Sequence, residues 1–142
     1  VDVHPYVDEP AKLGALLDEL RATGSGGEHY PTEVWVGGAA YEEQPIVISE
    51  YGGIALEADT EPAKGAGGGW GYGRHAVSPE QLLNKFEALT REILRRADIA
   101  GYTYTQLTDV EQEVNGLLTF DRRPKVPVEE VARAQAEGPE NK

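Results

Sequence analysis

The chain has 142 residues, one domain's worth: enough for a packed core, but short of the ~250 residues that larger single domains reach. Its 25 Asp and Glu against 13 Lys and Arg give a net charge of -12, so the surface repels phosphate backbones and anionic headgroups, and neither nucleic acid nor membrane is an expected partner. With no cysteine there is no disulfide framework and no thiolate metal site, and no apolar run approaches the ~20 residues a membrane-spanning helix needs.

Residues 1–6 read as a short buried strand. With no initiator Met and no basic-then-apolar leader, this opening reads as a cut from something longer, so the compartment stays open, with the cytoplasm favoured over export. Asp8 and Pro10 then suit a helix start, with Leu13, Leu16, Leu17 and Leu20 at helical spacing behind them and a stop near Gly24. Residues 23–43, with GSGG and VWVGG, read as a loop holding a short extended piece. Residues 45–49 form a continuous β-branched run without polar alternation, the pattern of a strand covered on both faces; it ends on Glu50 and turns at Gly52 and Gly53.

A glycine-dense loop over 59–77 follows, too long for an ordinary connection in a helix-and-strand fold. Ser78, Pro79 and Gln81 supply an N-cap, a first-turn proline and a capping-box partner. Leu82, Leu83, Phe86, Leu89, Ile93, Leu94 and Ala97 continue this helix, and Gly101 is expected to end it. Residues 102–108 are rich in aromatic and β-branched types and read as the next strand, and 128–137 as a last surface helix. Strand and helix alternate three times, which implies an α/β unit of parallel strands joined by right-handed helical crossovers.

The sharpest chemical signal is Glu50. A carboxylate at the tip of a buried strand is costly unless hydrogen-bonded or ligand partners meet it; the bland readings are a loop cap or a pairing with arginine. In GAGGGWGYG no register matches G-x-G-x-x-G, so a nucleotide site is not expected; its tryptophan and tyrosine suit either a flat face beside a ligand or an anchor for the loop. Asp109, Glu111, Glu113 and Asn115 alternate like a calcium loop but fail at Val114 and Phe120, which leaves a solvated loop as the expectation. His4, His29 and His75 have no ligand spacing and there is no G-x-S-x-G, so no metal, cofactor or serine nucleophile is expected.

Three stretches, PIVISEYGGI (45–54), GWGYG (69–73) and AGYTYTQLTDVEQEVNGLLTFDRRPK (100–125), resemble the carboxyl-terminal part of the catalytic barrel of glycoside hydrolase family 2, the β-galactosidase and β-glucuronidase family, and DVHPY near the start is similar to the segment before its last quarter. The resemblance implies part of a (β/α)8 TIM barrel, its sixth to eighth strands with their helices, from a retaining exo-β-glycosidase. It makes Glu50 the nucleophile, and His4, Tyr6, Tyr51, Trp70 and Gln106 candidate sugar-contacting residues.

This sequence departs from the family pattern twice. The family's acid/base glutamate lies in an Asn-Glu pair, and none occurs here, so the isolated chain is expected to be inactive. The glucuronidases' Asn-x-Lys, whose lysine meets the sugar carboxylate, is replaced by EQEVN, which favours a neutral β-glycoside. The expected partners are a carbohydrate substrate and either the remainder of the parent barrel or another copy of the chain. The alternative is a non-catalytic part-barrel that binds carbohydrate or self-associates.

Overall fold

The structure is a computed structural model describing residues 1–24, 41–60 and 68–136. The loop expected over 23–43 falls largely outside these residues, as does part of the glycine-dense run. In chain order the elements are β1 (Asp2–Val3), α1 (Pro10–Thr23), β2 (Ile46–Gly52), α2 (Glu57–Thr60), α3 (Pro79–Leu94), β3 (Ile99–Thr105) and α4 (Val128–Ala136). The strands form one parallel sheet in the order β1-β2-β3, with Val3 opposite Ile48 and Ile48 opposite Tyr102. The α/β class and the parallel strands are as the sequence implies.

Sequential parallel strands with crossovers of one hand put the connecting helices on one side of the sheet. Leu13, Leu16, Leu17 and Leu20 of α1 and Leu82, Phe86, Leu89 and Ile93 of α3 accordingly bury together against Val3, Ile46, Ile48 and Tyr51. Each such side chain contributes on the order of 1.5–3 kcal/mol by leaving water. The two helices approach closely where Gly14 faces the Glu92 carboxylate, and Arg96 ties them further by donating to Asp18 at 2.7 Å. The other face of the sheet corrects one expectation: β2 is not covered on both sides, since Val47 is 39% exposed and looks across at Gly101.

Local signals account for most helix ends. Pro10 occupies the first turn of α1, and Gly24, at φ 74°, closes it with a bond from its N–H to the Leu20 carbonyl at 2.9 Å. The residue before the helix is Glu9, without a side-chain cap; Asp8 turns away to Arg74 and Lys85. Ser78 caps α3 by accepting from the Gln81 N–H at 3.1 Å, while the Gln81 side chain reaches back to the Val77 N–H at 2.7 Å. Gly101 does not end α3. The helix stops at Leu94 with Arg95 in a right-handed conformation, and Gly101 sits inside β3. The first strand is also shorter than expected, because the chain turns at His4–Tyr6 around Pro5, the Tyr6 N–H donating to the His4 carbonyl at 3.1 Å.

Candidate active site

Glu50 owes its position to an irregularity in the sheet. Ile48 pairs with Tyr102 and Tyr51 with Tyr104, so Ser49 and Glu50 together oppose the single residue Thr103. Such a bulge reverses the in-out alternation beyond it. Ile46, Ile48 and Tyr51 therefore all face the helices, and Glu50 turns to the face that no described helix covers, near the carboxyl end of β2.

On that face the Glu50 carboxylate accepts from the Tyr6 hydroxyl, and His4 Nδ1 lies 3.6 Å from it. His4 Nε2 in turn lies 3.9 Å from Asp2, and Asp2 accepts from the Ser49 hydroxyl. Glu50 remains partly open to solvent, its side chain 41% exposed. Burial, with the bond to Glu50 behind it, pushes the Tyr6 phenol well above its ordinary pKa, so Tyr6 is a proton donor to the carboxylate throughout the neutral range.

The ring of Tyr6 stacks on Tyr72 at 3.7 Å and 11°, and Trp70 stands edge-on to Tyr72 at 5.5 Å. This ledge rests on the glycine turn after Glu50. Tyr72 N–H donates to the Gly53 carbonyl at 2.7 Å, and a side chain on Gly53, at φ 61°, would lie within 2.5 Å of the Tyr72 ring. Trp70 is 44% exposed and is held by the loop after β3, its N–H donating to the Gln112 carbonyl and its carbonyl accepting from Val114. Gln106, joined to Thr105 by a cis peptide bond, donates to Asn115 at 2.8 Å, and Asn115 donates to Glu113 at 3.0 Å.

The loop after β3 is not the solvated run expected. Asp109 is buried, accepting from Gly116 N–H and from Lys125 Nζ, each at 2.8 Å, and Asn115 is fully buried. These bonds fasten the loop beneath Trp70. Among the described residues no group of three or more His, Asp or Glu could hold a metal ion, and no helix is long and apolar enough to cross a membrane. Shallow hollows at the opposite end of the sheet, beside Arg21, Glu43 and Asp98, show no comparable grouping of carboxylate, phenol and imidazole.

Of the residues singled out in the sequence, Glu50, His4 and Tyr6 meet directly, and Trp70 joins them through Tyr72. Gln106 follows Thr105, the partner of Gly52 at the end of β2. Tyr51 stands apart as a correction. Its ring has no accessible surface and its hydroxyl pairs with Thr90 Oγ1 at 2.7 Å beneath α3, so it has no free face for a sugar. Tyr72, read from the sequence as a flat face beside a ligand or a loop anchor, and Asn115, read as part of a solvated run, stand outside the sugar-contacting residues that the resemblance implies. The alternation of Trp70 and Tyr72 between glycines carries the first reading, whereas nothing local to Asn115 signals its bonds with Gln106 and Glu113.

Among solved structures, the chain shares its fold with a GH2 beta-galacturonidase from Eisenbergiella tayi bound to glycerol, with TM-score 0.57, 20% identity, and coverage of 99% of this chain and 24% of that one. The same kind of enzyme bound to galacturonate aligns over 97% of this chain and 23% of that chain, with TM-score 0.55 and 19% identity. The beta-glucuronidase of Faecalibacterium prausnitzii aligns over 68% of this chain and 16% of that chain, with 25% identity and TM-score 0.47. No family model matches the chain, and no curated protein matches it in sequence. The chain thus spans about a quarter or less of the length of these glycoside hydrolases, and what it shares with the two beta-galacturonidase structures is the fold.

Proposed function

We propose that the chain is the carboxyl-terminal part of the (β/α)8 TIM-barrel catalytic domain of a family 2 glycoside hydrolase, contributing the sixth to eighth strands and the nucleophile Glu50. The observation that carries this reading is the Glu50 carboxylate, turned by a bulge onto the sheet face that no described helix covers and met there by Tyr6 and His4. In a closed barrel that face is the interior, and sites form at the carboxyl ends of its strands.

In this reading Glu50 attacks the anomeric carbon, the glycosyl–oxygen bond breaks, and a glycosyl ester forms that water later hydrolyses with net retention. The Tyr6 hydroxyl holds the attacking carboxylate in one rotamer, and Trp70, Tyr72 and Gln106 line the sugar. The acid/base carboxyl, which retaining chemistry places ~5 Å from the nucleophile, comes from the remainder of the barrel. Without it, proton assistance worth about 10²- to 10⁴-fold in rate is lost, and the isolated chain is inactive.

A neutral β-glycoside, of the β-galactoside type, is the favoured substrate. Lys125, a cation held against the loop after β3, is 2% exposed and bonded to Asp109 and the Val114 carbonyl, so it offers nothing to a sugar carboxylate. The alternative, a part-barrel that binds carbohydrate or pairs with its own copy without catalysis, draws support from the uncovered sheet face and from β1 and β3 lying at its two edges.

A mechanism-based 2-deoxy-2-fluoroglycoside should label Glu50 in the full-length parent and leave the isolated chain unlabelled. Labelling of a different carboxylate in the parent removes the nucleophile assignment.

A further inference from the structure

Two short segments run side by side at the carboxyl end of the sheet, residues 6–9 leading into α1 and residues 70–74 ahead of α3. They meet at two rungs. The first is the Tyr6–Tyr72 stack. The second lies two residues further along both segments, where Arg74 Nε donates to Asp8 Oδ2 at 2.9 Å and Arg74 Nη2 to Glu9 Oε1 at 2.6 Å. Lys85 of α3 closes this rung, its ammonium 3.4 Å from Asp8 Oδ2 and donating to the Arg74 carbonyl at 2.6 Å. Between the rungs Gly73 adopts φ 64°, and a side chain there would stand 3.0 Å from the Asp8 β-carbon.

The guanidinium of Arg74 is largely in water, where an ion pair is screened, but Asp8 and Lys85 are 13% and 17% exposed, and their attraction is correspondingly less screened. The ring stack alone is a modest restraint, since flat aromatic faces slide easily and the second segment has glycine at 71 and 73, with 68 and 69 just before it. A fixed ring position needs a fixed point beyond it.

We infer that Asp8, Arg74 and Lys85 form a clamp that sets Tyr72 on Tyr6 and so aims the Tyr6 hydroxyl at Glu50. Asp8 and Arg74 are thus positioning residues that act on the carboxylate through two rings. The functional meaning rests on Glu50 being the reacting group, whereas the clamp itself is a statement of geometry. The competing explanation is that the backbone bonds from Tyr72 N–H to Gly53 and from Trp70 N–H to Gln112 suffice to place the ledge.

The test uses proton NMR on the whole chain. A phenol bonded to a carboxylate and partly buried gives a downfield hydroxyl signal, assigned by its loss in Tyr6→Phe, and the stacked rings shift each other's protons upfield. Asp8→Asn and Arg74→Gln should lose the hydroxyl signal and return the ring protons toward unstacked positions, with helical circular dichroism unchanged. Asp18→Asn, which breaks an ion pair between α1 and Arg96 just beyond α3, should leave both signals in place.

If both clamp variants keep the hydroxyl signal and the ring shifts, or if the unmodified chain shows neither, the inference is wrong. Should Asp8→Asn unfold, Arg74→Gln decides, because it leaves Lys85 on Asp8. Failure of Glu50 to label in the parent would overturn the catalytic reading while leaving the clamp standing.

Discussion

Ser49 and Glu50 share one place in the ladder opposite Thr103, and that single extra residue decides which side chain meets solvent and which meets the core. A strict period of two from Ile46 and Ile48 would send Glu50 under the helices and Tyr51 outward. The bulge exchanges them, and the buried Tyr51 hydroxyl then finds Thr90 on α3. Tyr51→Phe should therefore lower stability by about 1 kcal/mol, the worth of one neutral buried hydrogen bond, read from the urea midpoint. It should leave labelling of Glu50 in the parent unchanged. A large loss of labelling without a loss of stability would return Tyr51 to the site. That a carboxylate closes the apolar run 45–49 is legible in the sequence, and so is its place near a strand end. Which face it takes is not, because the bulge exists only in the pairing with β3, about fifty residues away. His4 and Tyr6 are named in the sequence only through a resemblance, and the sequence alone states neither the bond from Tyr6 to Glu50 nor the approach of His4 to it.

At the scale of elements, α3 is where local chemistry and tertiary packing agree. Ser78 and Gln81 satisfy N–H groups at its start, and Leu82, Phe86, Leu89 and Ile93 keep one apolar face toward the sheet. Ser78→Ala should cost about 1 kcal/mol in chemical denaturation, while Ser78→Gly should cost only a few tenths. Its carboxyl end differs from the expectation: Ala97 and Gly101 suit a helix and its stop, yet the helix ends at Leu94, and Arg96 beyond it engages Asp18 and Asp98.

The junction of α1 with the segment before α3 is sensitive to acid. Burial raises the pKa of Asp8, but the bond from Arg74 and the charge of Lys85 outweigh it and hold the carboxyl below its ordinary value. Its contribution is therefore fully present above the unfolded-state value, about 3.9, and is lost as the pH falls through the lower folded value. Urea midpoints measured on acidification through that range should fall more steeply for the unmodified chain than for Asp8→Asn, whose curve is flatter because the titrating group is gone. Parallel slopes would mean that Asp8 does not titrate differently in the two states.

For the whole molecule, opposing terms govern association. The described sheet has β1 and β3 at its edges, which offer ladder groups to another chain, and the face that no described helix covers carries Val47, which adds apolar surface. Against this stands a charge of -12, which repels any second copy. The repulsion acts over a Debye length of about 30 Å at 0.01 M salt and only about 3 Å at 1 M, whereas hydrogen bonds and apolar contact across a strand edge are scarcely screened. Sedimentation velocity should accordingly show a monomer at low salt and a concentration-dependent rise in mass at high salt. Val47→Lys, which places a charge on the uncovered face without touching the helix side, should suppress that rise. A monomer under both conditions would mean that the edges are already protected, and would count against self-association while leaving the catalytic reading, which pairs these edges with the rest of a barrel, in place. A salt-independent dimer of defined mass would favour the non-catalytic module, because its interface would then be strong enough to hold against the full charge.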